Sequence, residues 1–177
     1  DAEAYYNLGI SYNKQGNYTK AIESFKKAIE LDPDDAFAYY NLGYAYYNQG
    51  NYTKAIESYK KAIELKPDDA DTYYNLGIAY YNQGNYTKAI ESYKKAIELK
   101  PDYAYAYYNL GNAYSNQGNH TKAIESYEKA IEIDPDDAYA YYNLGIAYGR
   151  QGNYTKAIES YEKAIELKPD YRLAYNN

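Results

Sequence analysis

The stretch AFAYYNLGYAYYNQGNYTKAIESYKKAIELKPDD, residues 36–69, reads as two helices joined by a tight turn. In its first half Tyr39, Leu42, Gly43 and Tyr46 recur at three- and four-residue spacing, which is one face of an α-helix. Gly50 stands where a helix end favours a left-handed residue, and Asn51 can cap the start of the next helix. In the second half Tyr52, Ala55, Ile56, Tyr59, Ala62 and Ile63 form another apolar stripe. Glu57 and Lys61 are placed for an i,i+4 ion pair on its wet side. Pro67 ends this helix, and Asp68 and Asp69 offer caps for a following one. The stretch is a helical hairpin.

Outward from it the same text repeats. A repeat of 34 residues begins at Ala2, Ala36, Ala70, Ala104 and Ala138, and residues 172–177 start a sixth. The second and third repeats differ only at Phe37/Asp71, Ala38/Thr72, Tyr44/Ile78 and Asp69/Tyr103. A period of this length marks a stacked array in which no single repeat can bury its apolar face alone. One array over residues 1–177 is therefore expected, with repeats at 2–35, 36–69, 70–103, 104–137 and 138–171. Gly43, Ala55 and Ala62 sit on apolar faces where larger side chains would hold the helices apart. Gly149 breaks the pattern: it lies inside a first helix, where glycine costs about 1 kcal/mol relative to alanine.

Composition narrows the function. A formal charge of -6 argues against a general nucleic-acid binder, which needs clustered Lys and Arg. No apolar run approaches the roughly 18–20 residues that span a bilayer, so no membrane partner is expected. The chain opens without Met and reads as a segment of something longer. Cysteine is absent, which excludes disulfides and thiolate metal sites and leaves the compartment open, with the cytoplasm favoured. His120 is the single histidine, so no histidine triad or multi-histidine metal site can form. No catalytic residue, metal ligand set or cofactor is expected. The anomaly is tyrosine: 31 residues, against two Phe and no Trp.

The offsets of Tyr39, Leu42-Gly43, Tyr46, Ala55, Tyr59, Ala62 and Pro67, met again in every repeat, resemble the pattern of the tetratricopeptide repeat (TPR) family. The opening aromatic, usually Trp in the family, is Tyr5, Tyr39, Tyr73, Tyr107 and Tyr141 here. His120 departs likewise from Tyr18, Tyr52, Tyr86 and Tyr154. The resemblance implies an all-α fold, a right-handed superhelical α-solenoid of helix-turn-helix repeats whose first helices line a concave wall. Charge segregation agrees: AFAYYNLGYAYYNQ and AYAYYNLGNAYSNQ, the first helices of repeats two and four, carry no charge. The family's wall places correspond to Phe37, Tyr40, Asn41, Tyr44, Tyr47 and Asn48 in repeat two, and to Asp71, Tyr74, Asn75, Ile78, Tyr81 and Asn82 in repeat three. In repeat four they correspond to Tyr105, Tyr108, Asn109, Asn112, Ser115 and Asn116, and in repeat five to Tyr139, Tyr142, Asn143, Ile146, Gly149 and Arg150.

Such a wall of rings and amides suits an extended peptide, since an amide donates and accepts at once and a tyrosine stacks at low entropic cost. Asn7, Asn41, Asn75, Asn109 and Asn143 form a ladder similar to one by which family members hold a peptide main chain; local hydrogen bonding is the other reading of the same residues. The basic clamp that some members use for a terminal carboxylate is missing, its places holding Tyr6, Phe37, Tyr40, Asp71 and Asn75. The expected function is a non-enzymatic scaffold that binds a peptide or helical segment of another protein. Two alternatives stand beside it. One is self-assembly by end-to-end stacking through Ala4, Tyr5 and Leu8 at one end and Leu173, Ala174 and Tyr175 at the other. The other is a designed repeat protein with no native ligand. The five Asn-X-Thr strings beginning at Asn17, Asn51, Asn85, Asn119 and Asn153 match a glycosylation sequon but are read as helix caps.

Overall fold

The computed structural model describes residues 1–169. They form ten α-helices and no strand: α1 (Ala2–Lys14), α2 (Tyr18–Leu31), α3 (Ala36–Asn48), α4 (Tyr52–Leu65), α5 (Ala70–Asn82), α6 (Tyr86–Leu99), α7 (Ala104–Asn116), α8 (His120–Ile133), α9 (Ala138–Arg150) and α10 (Tyr154–Leu167). Each repeat contributes one pair. Residues 172–177, the expected start of a sixth repeat, lie outside the described residues. Among the described residues no helix is long and apolar enough to cross a membrane.

The turn inside each hairpin follows from two residues. Gly50 adopts φ +81°, and its N–H donates to the Tyr47 carbonyl while that of Asn51 donates to Tyr46, both at 2.9 Å. These bonds close the end of α3 on a left-handed glycine. Asn51 then caps α4 at once, its side chain accepting from the Lys54 N–H at 3.2 Å. Asn17, Asn85, Asn119 and Asn153 do the same for their helices, which accounts for the Asn in every sequon-like string. Between hairpins the cap is an aspartate. Asp35 accepts from Phe37 and Ala38, Asp69 from Thr72, and Asp137 from Tyr139 and Ala140. In the fourth repeat the cap position is Tyr103, whose side chain makes no capping bond.

Packing within a hairpin is a ring against a glycine. Phe25, Tyr59, Tyr93 and Tyr127 are fully buried, and a Cβ built on Gly9, Gly43, Gly77 or Gly111 would meet the facing ring at 2.5–2.8 Å. The first helix has no room for any side chain there. Burying one such ring contributes about 1.5–3 kcal/mol, so the glycine makes space for the largest apolar unit of the repeat. Ser24, Ser58, Ser92, Ser126 and Ser160 are also buried, and each hydroxyl donates to the carbonyl four residues earlier.

The chain folds as two compact units. The first, Asp1–Leu99, holds α1 to α6, with α2 packed on α3 and α4 on α5; the second, from Lys100, holds α7 to α10, with α8 packed on α9. One expected contact does not form. Lys61 pairs with Glu64 at 2.8 Å instead of Glu57, and Lys95, Lys129 and Lys163 likewise reach three residues forward, to Glu98, Glu132 and Glu166. Both Glu57 and Glu64 lie within reach of the Lys61 ammonium on an exposed helix face, where neither choice is strongly preferred. These pairs are exposed and add little stability.

Candidate functional site

The wall residues divide into two groups by what they touch. Phe37, Tyr44, Tyr105 and Tyr139, from the second and ninth places, are exposed, with Tyr105 at 63 % and Phe37 at 57 %. Tyr40, Asn41, Tyr47, Tyr74, Asn75, Ile78, Tyr81, Tyr108, Asn109, Asn112, Tyr142 and Asn143 are half-buried, and Asn7 is exposed on α1. The exposed rings stand at the surface, Phe37 and Tyr139 each beneath a lysine ammonium. The half-buried ones meet each other.

Every fifth-place tyrosine rests against the second-helix ring of its own repeat, which is buried in the first four repeats and half-buried in the fifth. Tyr6 lies 5.9 Å from Phe25, Tyr40 5.9 Å from Tyr59, Tyr74 6.0 Å from Tyr93, Tyr108 6.0 Å from Tyr127 and Tyr142 5.8 Å from Tyr161, all tilted. For Tyr6, Tyr40 and Tyr108 the hydroxyl also accepts from the ladder asparagine of the next repeat. Asn41 donates to Tyr6 at 3.2 Å, Asn75 to Tyr40 at 3.0 Å and Asn143 to Tyr108 at 2.9 Å. The second amide hydrogen of Asn41 goes to the Phe37 carbonyl, and that of Asn75 to Asp71. Their donors are therefore spent inside the fold, and the face left to a partner is the acceptor oxygen. In the fourth repeat Asn112 Oδ1 accepts from both Tyr127, at 2.8 Å, and Asn143, at 3.3 Å, adding a polar node that Tyr44 and Ile78 do not supply in their repeats.

The environment keeps these phenols neutral. Burial, with Asp71 and Asp69 beside it, holds the Tyr40 hydroxyl above the usual phenol range, and burial with Asp35 does the same for Tyr6. Tyr47 is raised by burial and by the neighbouring Tyr52. Tyr47 also packs tilted against Tyr52 at 5.6 Å, and Tyr81 meets Tyr86 edge-on at 5.3 Å. Asn82 donates to Tyr47 at 3.2 Å, a second ladder parallel to the first.

Two further arrangements escape a reading by wall places. Gln49 donates to Thr19, Gln83 to Thr53 and Gln151 to Thr121, a third inter-repeat ladder at 2.8–3.2 Å. Its signal is a Thr followed 30 residues later by a Gln, as the first ladder is a Tyr followed 35 residues later by an Asn. Lysines also lie over wall rings: Lys66 Nζ is 4.9 Å from the Phe37 centroid and Lys168 Nζ 4.7 Å from that of Tyr139.

Comparison with known proteins fits this geometry. Profiles of the TPR repeat match residues 11–50 and 43–84, and profiles of the tetratricopeptide repeat match residues 74–138 and 108–172. The chain belongs to the tetratricopeptide repeat family. No curated protein sequence matches it. Among solved structures, a MamA protein is 35 % identical with a TM-score of 0.90, the match covering 99 % of this chain and 96 % of that one. A MamA from Desulfovibrio magneticus RS-1 is 26 % identical, with a TM-score of 0.90 and 96 % of each chain covered. YrrB, described as a TPR protein with an unusual peptide-binding site, is 30 % identical with a TM-score of 0.86, over 99 % of this chain and 90 % of that one. TPR repeats mediate protein–protein interactions, and this TPR chain is of that kind.

Proposed function

We propose that this TPR chain is a non-enzymatic scaffold in which the first helices of each compact unit hold an extended peptide segment of another protein. The observation that carries the reading is the set of exposed, uncharged rings Phe37, Tyr44, Tyr105 and Tyr139 at two recurring places of the wall. Exposed rings repeated at the same places of successive repeats are costly for a surface with nothing to bind. The peptide-binding site described for YrrB supports the same reading. The peptide contacts fall on the second and ninth places and on the Oδ1 atoms of Asn41 and Asn75, which accept from peptide N–H groups. The fifth-place tyrosines act beneath them, as braces.

The test is a selection of displayed random peptides on the whole chain, followed by the triple variant Phe37→Ser, Tyr44→Ser, Tyr139→Ser. Enriched peptides should lose about tenfold or more in affinity, with helical circular dichroism unchanged. Peptides that bind the triple variant equally well, or a selection that enriches none, count against the wall.

A further inference from the structure

The two lysine–ring pairs expose a difference in the fourth repeat. Lys66 and Lys168 are the residues that end α4 and α10, and each places its ammonium over the second-place ring of its own repeat. In the fourth repeat the second place is again a ring, Tyr105, but the residue that ends α8 is Asp134. The cation is replaced by an anion while the ring stays. Among the described residues Tyr105 makes no side-chain hydrogen bond or ring contact, and it is the most exposed aromatic of the wall.

A cavity of about 410 Å³ opens at this ring, lined by Tyr105, Tyr108, Asp134, Asp136, Asp137 and Tyr139, with Lys168 at its edge. It has room for more than ten waters at roughly 30 Å³ each, and so for the head of a long side chain. Asp134 and Asp137 each use one oxygen on backbone N–H groups, of Asp136 and of Tyr139 and Ala140. The Lys168 ammonium is held on Tyr139, donating to its hydroxyl at 2.7 Å. Three carboxylates thus face one engaged ammonium beside a bare π-face.

We propose that Tyr105 and Asp134, with Asp136 beside them, receive a basic side chain, arginine or lysine, of a bound peptide; the source of that side chain rests on the peptide-binding reading above. The incoming cation takes over Tyr105 the place that Lys66 takes over Phe37, and the carboxylates supply the attraction that a ring alone gives weakly. Arginine suits the site better than lysine, because a planar guanidinium stacks on the ring while donating sideways to a carboxylate.

The test uses the whole chain with isotopically labelled tyrosine, titrated with N-acetyl-arginine methylamide and with the uncharged citrulline analogue, under magnetic resonance. The Tyr105 ring signals should shift saturably with the arginine compound, and the citrulline compound should bind about tenfold more weakly or worse. Asp134→Lys, which recreates the arrangement of repeats two and five and so folds safely, should weaken arginine binding by about tenfold or more. Tyr105→Leu, read through the Tyr108 signals, should weaken it to a similar degree. Equal binding of the two compounds, undiminished binding by Asp134→Lys, or shifts spread evenly over the exposed tyrosines overturns the proposal. The probe is a single residue with no chain to lie along the wall. Its failure therefore sinks the cation receptor alone, whereas failure of the displayed-peptide selection sinks the wall.

Discussion

The Asn75 side chain joins two repeats by donating to the Tyr40 hydroxyl, 35 residues earlier, at 3.0 Å, while its other hydrogen goes to the Asp71 carbonyl at 2.9 Å. An amide so engaged on both hydrogens is a coupling between neighbours before it is a hand for a peptide. Asn75→Ala should cost about 0.5–1.5 kcal/mol for the lost inter-repeat bond. Tyr40→Phe removes the same bond from the other side and keeps the ring on Tyr59. In urea unfolding the two changes together should cost less than their sum. Strict additivity would mean the ladder does not couple the repeats.

How far the sequence reached is visible in these same residues. The hairpins, the left-handed Gly50, the Asn51 cap and the need for a small residue at Gly43 all follow from local spacing and helix periodicity, whereas the ring that Gly43 faces, Tyr59, lies on the other helix of the hairpin. The Tyr40 destination of one Asn75 hydrogen does not follow from spacing, whereas the other makes the local bond, to Asp71 four residues earlier, that is one of the two readings of the ladder. Both ladder partners lie on different repeats, and a 34-residue period says that neighbours stack without saying which atoms meet. Lys61 pairs with Glu64 and not Glu57 for a smaller reason: both carboxylates lie within reach on an exposed face, and the difference between them is below what spacing can rank. The bare Tyr105 ring becomes legible only once the positions of Lys66 and Lys168 in sibling repeats are known.

Two glycines on equivalent-looking first helices should respond to alanine in opposite directions. A Cβ on Gly43 would sit 2.8 Å from the Tyr59 ring, so Gly43→Ala forces helices apart or displaces the ring, at a cost of about 1–3 kcal/mol. A Cβ on Gly149 meets only Ala157 Cβ, at 4.0 Å. Gly149→Ala should therefore stabilise by about 0.4–1 kcal/mol through the unfolded chain. Paired thermal melts check both, and a destabilised Gly149→Ala would show that the position serves something other than backbone geometry.

Tyr103 occupies the place where Asp35, Asp69 and Asp137 cap their helices, and α7 starts without a side-chain cap. Tyr103→Asp should supply the missing acceptor, worth about 0.5–2 kcal/mol. Part of this is offset by the ring surrendered beneath Lys100, whose Nζ lies 4.5 Å from the Tyr103 centroid. The expected outcome is a modest rise in melting temperature, with protection from hydrogen exchange gained in the first turn of α7. No gain in that turn would rule out the cap as the reason for aspartate in the sibling repeats.

Alkaline pH should unfold the chain through its buried tyrosines. Burial pushes the Tyr59 and Tyr93 hydroxyls well above the phenol range, and burial with the bonded Glu128 pushes Tyr148 up to about 12. Each group is easier to deprotonate in the unfolded chain, near pH 10, than in the fold. Its contribution is complete below about pH 10 and is lost as pH climbs toward the folded value, because the unfolded state then releases the proton first. Phe25 fills the same place as Tyr59 and Tyr93 in the first repeat, so the hydroxyl is dispensable to packing. The double variant Tyr59→Phe, Tyr93→Phe should therefore keep its stability at neutral pH to within about 1.5 kcal/mol, the scale of an isosteric core exchange. Its midpoint of alkaline unfolding, followed by circular dichroism, should move upward. An unchanged midpoint would place the alkaline sensitivity elsewhere, with Tyr148 and its Glu128 bond the next group to replace.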